Sequence, residues 1–378
     1  MNAKTAPKTA PKAARGPKAA AAPRTAYLVL GMHRSGTSAV TQLLALAGAD
    51  LPTNVMPGDE HNAKGYFEPW KIARFNDERL RAAGSAWDDP FAFPFKALAP
   101  EAEADWRDKA AALFGEEYGT AAWPLMKDPR ATVLLPMWRA VLERLEVGAR
   151  CVIPVRHPLA VAGSLRRRDG FTDEKSVLVW SAYMLAAEAY TRDLPRAFVG
   201  YDALLADWRA EAGRIEAAHG AALPKLTAAA GREIDRFLTA DLRHNAGDHS
   251  LAGLGWAGEI AAAVFDWFAA RAAGGTPDAG ALDDAAAELA RRQVEIGALV
   301  SAPTHDLAVA REELFEAREK LAAAEALEAE LRAEMDRQRE VLETGWRQDV
   351  RRLEKIAADQ AYVLGEVNAQ LDAALSDD

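Results

Sequence analysis

Residues Gly31 to Ser38, GMHRSGTS, follow the apolar run Tyr27 to Leu30 and precede an Ala- and Leu-rich helical pattern. A strand, a glycine loop and a helix in that order aim successive backbone N–H groups at one point, where the helix dipole also favours negative charge. Phosphate is the expected guest. Gly31 and Gly36 keep the spacing of a Walker loop and Ser38 stands at its Ser/Thr position, but Thr37 occupies the lysine position. Without that lysine the β/γ-phosphate contact of an NTPase is missing, and Arg34 is the cation inside the loop. The pattern points to a phosphate-bearing ligand other than a triphosphate awaiting hydrolysis. An ordinary strand-to-helix turn is the alternative.

Positioning such a loop takes a sheet. Short apolar runs at 26–31, 122–126, 150–155 and 197–201 alternate with helical patterns at about 37–48, 132–146, 158–168 and 175–191. That alternation implies an α/β fold, a P-loop-type parallel sheet with helices on both faces, whose ligands gather at the carboxyl ends of the strands. The Gly31 loop, Lys127 to Arg130 (KDPR), Arg156 to Pro158 (RHP) and Tyr201 with Asp202 all fall at such ends. Arg156 and Ser164 pair a planar cationic fork with a hydroxyl, a suitable set for a second phosphate if the chain folds back over it. An Arg156 ion pair with an acid is the structural alternative, and Arg166 to Arg168 read as a solvated or ion-paired face.

The chain has 378 residues and a net charge of −10, yet residues 1–24 carry six Lys or Arg and no acid, so the body is more acidic still. That body argues against general nucleic-acid binding, which needs a positive footprint. The Ala/Pro/Lys repeat of 1–24 has little to bury and is expected to be a disordered basic tail. Cys151, the one cysteine, suits a reducing compartment. No apolar run reaches the ~20 residues of a membrane span, and no secretory signal is evident. A cytoplasmic protein is expected.

In order and separation, GMHRSGTS, LMKDPR, VIPVRHPLAVAGSLRRR and VGYDALL resemble the PAPS-dependent sulfotransferases, especially their bacterial branch, over about residues 25–245. The resemblance implies that Arg34, Ser35, Gly36, Thr37 and Ser38 hold the 5′-phosphosulfate of 3′-phosphoadenosine 5′-phosphosulfate (PAPS), the co-substrate. It implies that Arg156 and Ser164 hold the 3′-phosphate, with Arg243 completing that site. The stretch HNAKGYFEP is similar to a family segment that would set Glu68 near the acceptor, making it the leading general base. His33 and His61 are the alternatives, and a structural Glu68–Lys71 pair is the plain one. Arg34 and Lys127 are the cations for the leaving oxygen. Asp59 to Asn62 are too crowded for a ligand set and His244 with His249 has no zinc spacing, so no metal is expected. The implied activity is sulfuryl transfer to a hydroxyl, less readily an amine, of a carbohydrate or cell-envelope glycan. A coiled-coil scaffold with a non-catalytic PAP-binding domain and an atypical P-loop kinase are the competing readings.

The Gly, Thr, Pro, Asp cluster at 274–278 marks a boundary, giving a tail (1–24), a sulfotransferase domain (25–275) and a helical coiled-coil region (281–378), with a break at Ser301 to Pro303. Leu307, Leu314 and Leu321 are spaced by seven with Ala310, Ala317 and Ala324 between them. Val350, Leu353, Ala357, Gln360, Leu364, Val367 and Leu371 alternate by three and four. The register shifts near Leu331 to Trp346, a stutter. A continuous helix there would run roughly 100 Å at 1.5 Å per residue. It is expected to make a homo-oligomer or to meet a partner helix, and folding back on the domain is the alternative.

Overall fold

The computed structural model describes residues 24–58, 65–239 and 250–376. The basic tail up to residue 23 lies outside them. Four described strands, β1 (Thr25–Val29), β2 (Leu125–Lys127), β3 (Gly148–Val155) and β4 (Arg196–Gly200), form one sheet in the order β2-β1-β3-β4, every pairing parallel. The described helices are α1 (Thr37–Leu46), α2 (Trp70–Ala82), α3 (Pro100–Tyr118), α4 (Arg130–Val133), α5 (Leu135–Arg144), α6 (Pro158–Asp169), α7 (Asp173–Ala189), α8 (Tyr201–Ala206), α9 (Trp208–His219), α10 (Ala228–Phe237), α11 (Gly255–Ala272) and α12 (Gly280–Ser376). This is the expected P-loop-type parallel sheet flanked by helices, with a long C-terminal helix.

The period of the strands explains the two layers of core. Along β1, Ala26 and Leu28 face one side with Cys151 and Ile153 of β3, and Leu30 just beyond the strand joins them, while Tyr27 and Val29 face the other with Val152. All are essentially fully buried, as a central parallel strand must be when helices cover both faces. On the first side, α7 is buried at every residue from Ser176 to Glu188, so it runs through the core instead of lying on it. On the second, α1 packs Val40, Leu43 and Leu44 against the sheet, together with Trp208 and Ile215 of α9.

Helices α2, α3 and α8 to α11 lie outside the helical patterns read from the sequence. Helix α3 opens on Pro100 with Glu101 and Glu103 in its first turn, a favourable start. Its Glu117 carboxylate accepts from the Asn54 backbone N–H at 2.9 Å and from its side chain at 3.0 Å, pinning the segment that leads to Glu68.

The chain divides into two compact units after Ala308, beyond the expected 275–281 boundary. The reason lies in α12, whose Leu282, Ala285 and Leu289 recur at three- and four-residue spacing and are buried in the domain core. Nor does the helix break at Pro303. Around that residue, Ser301 Oγ donates to Asp89 Oδ1 at 2.9 Å, and the His305 ring meets the Arg81 carbonyl at 3.1 Å. These tertiary contacts outweigh the loss of one backbone donor. The second unit, 309–378, is helical through Ser376, and its described leucines are exposed.

A chain ending at Ala308 should keep the domain's urea midpoint, whereas one ending at Ala279 should lose at least about 3 kcal/mol, since two fully buried leucines contribute about 1.5–3 kcal/mol each. Equal midpoints would refute the placement of α12 in the core.

Candidate active site

After β1 the chain bends through three left-handed residues, Gly31, Arg34 and Gly36, before α1 begins. The loop is tied down by the Gly31 N–H, which donates to Thr132 Oγ1 at 2.8 Å. Gly36, at φ +93°, is the N-cap of α1, and no side chain caps that helix end. Glycine is required there twice over, because a Cβ would also lie 2.3 Å from Tyr201 Cδ2. Tyr201 follows β4, and its ring carries the Arg156 guanidinium, 4.5 Å from the centroid. Arg156 follows β3 and donates through Nη1 to the Arg34 carbonyl at 2.8 Å, holding Arg34 in a conformation that side chains rarely adopt. Arg34 Nε in turn donates to Ser164 Oγ at 2.8 Å. Three strand ends thus converge on one helix N-terminus.

Burial lowers the Arg34 pKa, with the charges of Arg168, Arg156 and Arg167 adding to it. Burial does the same to Arg156, aided by Arg167. Both shifts record first the burial of a cation and only then its nearness to other arginines, and a bound anion would relieve both. Ser35 Oγ is buried in the same loop with no hydrogen-bond partner among the described residues.

The opposite flank sets two cations among three carboxylates. Lys127, at the end of β2, donates through Nζ to Glu68 Oε1 at 2.5 Å and to the Tyr66 carbonyl at 3.1 Å. Ser38 Oγ reaches the same carbonyl at 3.4 Å. Arg130 Nη1 lies 3.5 Å from Glu68 Oε2 and 2.8 Å from Asp128 Oδ1, and its Nε donates to Asp77 at 2.7 Å. Although burial opposes the charge of Arg130, Asp77, Asp128 and Glu68 outweigh it and raise its pKa well above the ordinary value. Asp128 also accepts from Asn76 Nδ2 at 2.7 Å. KDPR is therefore both a strand end and a charge network.

His33 packs edge-on to Trp87, ring centroids 4.9 Å apart, and more distantly to Tyr183. Its Nε2 is buried and unpartnered among the described residues. Burial first, then the charges of Arg130, Arg168, Lys127 and Arg34, hold its pKa well below the ordinary histidine value. It is a neutral imidazole set among cations.

The structure brings Arg34, Ser164 and Arg156 together, and brings Glu68 to Lys127. Lys71 pairs with Glu116 and not with Glu68. His157 caps α6, accepting from the Leu159 N–H at 3.3 Å, so the histidine of RHP positions a helix. Arg166 and Arg168 pair with Asp173 and Asp169, the expected ion-paired face. Arg243, His61, His244, His249 and Asp59 to Asn62 lie outside the described residues. Among the described residues no group of three or more His, Cys, Asp or Glu could hold a metal ion, and no helix is long and apolar enough to cross a membrane. Sequence reasoning missed the tyrosine platform. Its only trace was an aromatic residue immediately after a strand.

A cleft of about 620 Å³ opens beside Tyr66, lined by Thr53, Asn54, Val55, Met56, Pro57, Gly58 and the 39% exposed Trp70. Met56 N–H donates to the Glu68 carbonyl at 2.7 Å, which ties the cleft wall to the Glu68 segment.

No protein-family model matches the sequence, and neither does any curated protein. Among solved structures the chain is similar to the sulfotransferase domain of the Synechococcus PCC 7002 olefin synthase, with 19% identity and a TM-score of 0.38 over 65% of this chain and 95% of that one. It is also similar to the sulfotransferase domain from the curacin biosynthetic pathway, with 13% identity and a TM-score of 0.36 over 64% of this chain and 98% of that one.

Gly36→Ala should destabilise the protein by about 1–3 kcal/mol through overpacking and a strained φ. Calorimetry showing no loss would refute the Tyr201 contact. The unfolded chain takes up a proton below pH about 6.5 that folded His33 refuses, so stability should fall as pH drops through that value and toward the lower folded pKa. His33→Gln should make the acid limb of the melting temperature shallower; identical slopes would contradict a buried neutral ring.

Proposed function

We propose that the protein transfers a sulfuryl group from PAPS to a hydroxyl of a carbohydrate acceptor, as a member of the PAPS-dependent sulfotransferases. The observation that carries this reading is the Arg34–Ser164–Arg156 cluster beside the uncapped start of α1, with Thr37 in place of a Walker lysine. A helix N-terminus with an adjacent buried cation cluster suits a ligand with two separate phosphates better than one with a single triphosphate chain. In this reading Arg34 and residues 35–38 hold the phosphosulfate, and Arg156 with Ser164 holds the 3′-phosphate. Cytoplasmic placement belongs to the same reading, supported by the free, buried Cys151.

In the transfer, the acceptor oxygen attacks sulfur, the bond from sulfur to the bridging phosphate oxygen breaks, and the acceptor proton passes to a base. Charge on the departing oxygen is met by Arg34 and the α1 N–H groups, which need no reorganisation. Glu68 and His33 are the two candidates to take the proton. Both oxygens of Glu68 are engaged by Lys127 and Arg130, so an incoming proton competes with two cations. His33 is neutral with an unpartnered Nε2, which favours it as base and leaves Glu68 to fix Lys127. The cleft beside Tyr66 supports a sugar acceptor, because an exposed indole such as Trp70 offers a flat face to a pyranose ring while Thr53 and Asn54 add polar edges.

Thermal shift decides the donor. PAP at a hundred times its dissociation constant should stabilise the protein by about 2.7 kcal/mol, with ATP and GTP much weaker. Each of Arg156→Ala and Ser164→Ala should weaken PAP binding about 10- to 100-fold. Stabilisation by ATP without PAP would favour the kinase reading, and PAP binding without transfer of labelled sulfate to glycans would favour the scaffold. In the transfer assay, His33→Gln should lower kcat by at least about 100-fold and remove its acid limb, while Glu68→Gln leaves that limb in place.

A further inference from the structure

Within the second compact unit, α12 carries Leu314, Leu321, Met335 and Leu342 at the first (a) position of a heptad, with Leu331 at the fourth (d); this register runs unshifted through Leu342, so the shift expected near Leu331 to Trp346 falls between Leu342 and Val350. Each of these is at least half exposed along its own chain. Ala317 and Ala324 take the preceding d positions and Gln338 the following one, so the seam is apolar except at Glu328 and Gln338, and a lone helix gains little from such a seam in water. The charges beside the seam say what covers it. In the same register the e positions hold Arg318, Glu325, Arg332 and Arg339, and three of the g positions hold Glu313, Lys320 and Glu334.

We propose that this seam is closed by a second copy of the same helix, parallel and in register. In that arrangement each g residue faces the e residue five positions further along the other chain. The facing pairs are then Glu313 with Arg318, Lys320 with Glu325 and Glu334 with Arg339, each of opposite sign and each formed twice by symmetry. Antiparallel helices would set e against e and bring the predominantly arginine e row against itself. One carboxylate, Glu328, takes an a position, and Arg332 of its own helix holds it at 2.5 Å, so it enters the seam already paired. A polar group at one a position also fixes register. The self-complementarity makes the partner a copy of this chain, and it stands independently of the sulfotransferase reading.

The test uses the full chain in light scattering. Wild type at micromolar concentration should show twice the 40.8 kDa chain mass. The triple variant Glu313→Lys/Lys320→Glu/Glu334→Lys should self-associate at least tenfold more weakly, as should Arg318→Glu/Glu325→Lys/Arg339→Glu. Mixing the two should restore a heterodimer, since every facing pair is then complementary. Leu321→Cys should give a same-residue disulfide between chains under mild oxidation, with the native Cys151 buried and silent. A monomeric wild type, triple variants as tightly self-associated as wild type, or a dimer in which Leu321→Cys does not cross-link would each overturn the proposal.

Discussion

The space left by the missing side chain of Gly36 governs the site. Because that residue has no Cβ, the Tyr201 ring packs directly beneath the start of α1, and the ring provides the surface on which Arg156 rests. Arg156 then bonds the Arg34 carbonyl and stabilises a left-handed arginine, which directs the Arg34 side chain to Ser164. Each contact presupposes the one before it. The arrangement is built from residues that follow β1, β3 and β4, so the parallel sheet is what makes it possible.

The two flanks of the loop differ in electrostatics. On one, Lys127 and Arg130 are buried among Glu68, Asp77 and Asp128, and carboxylates offset the desolvation of the cations. On the other, Arg34 and Arg156 rest on a hydroxyl, a carbonyl and an aromatic ring, and burial, with neighbouring arginines adding to it, depresses their pKa values. The first flank is a scaffold whose cations are all matched by carboxylates. The second keeps positive potential in a partly buried place, which is the condition for tight anion binding. His33 stays uncharged because it is buried and because cations of both flanks act on it. A second strained residue, Phe67 at φ +56°, lies next to Glu68, so unusual backbone is found on both sides of the site.

Periodicity in the sequence determined much of this protein. Alternating apolar runs located the four described strands, and the glycine spacing located the loop, because burial on a pleated or helical backbone imposes a fixed period. Seven-residue spacing likewise marked the C-terminal helix. Periodicity did not separate the part of α12 that joins the domain from the part that does not, since Leu282 and Leu289 share the helical pattern of Leu314 and Leu321; only packing shows that the first pair is buried.

The chemistry was legible as residue types and not as partners. Arg34, Arg156 and Ser164 could be named from motif and strand-end position, but their mutual hydrogen bonds depend on how three distant segments meet. The sequence offered Lys71 as the nearest cation to Glu68, and the fold supplied Lys127 from the end of β2, because the segment that leads into α2 packs against that strand end. The tyrosine platform and the buried neutral His33 belong entirely to the tertiary structure. Both depend on which side chains surround a residue, and a linear chain specifies those neighbours only once it has folded.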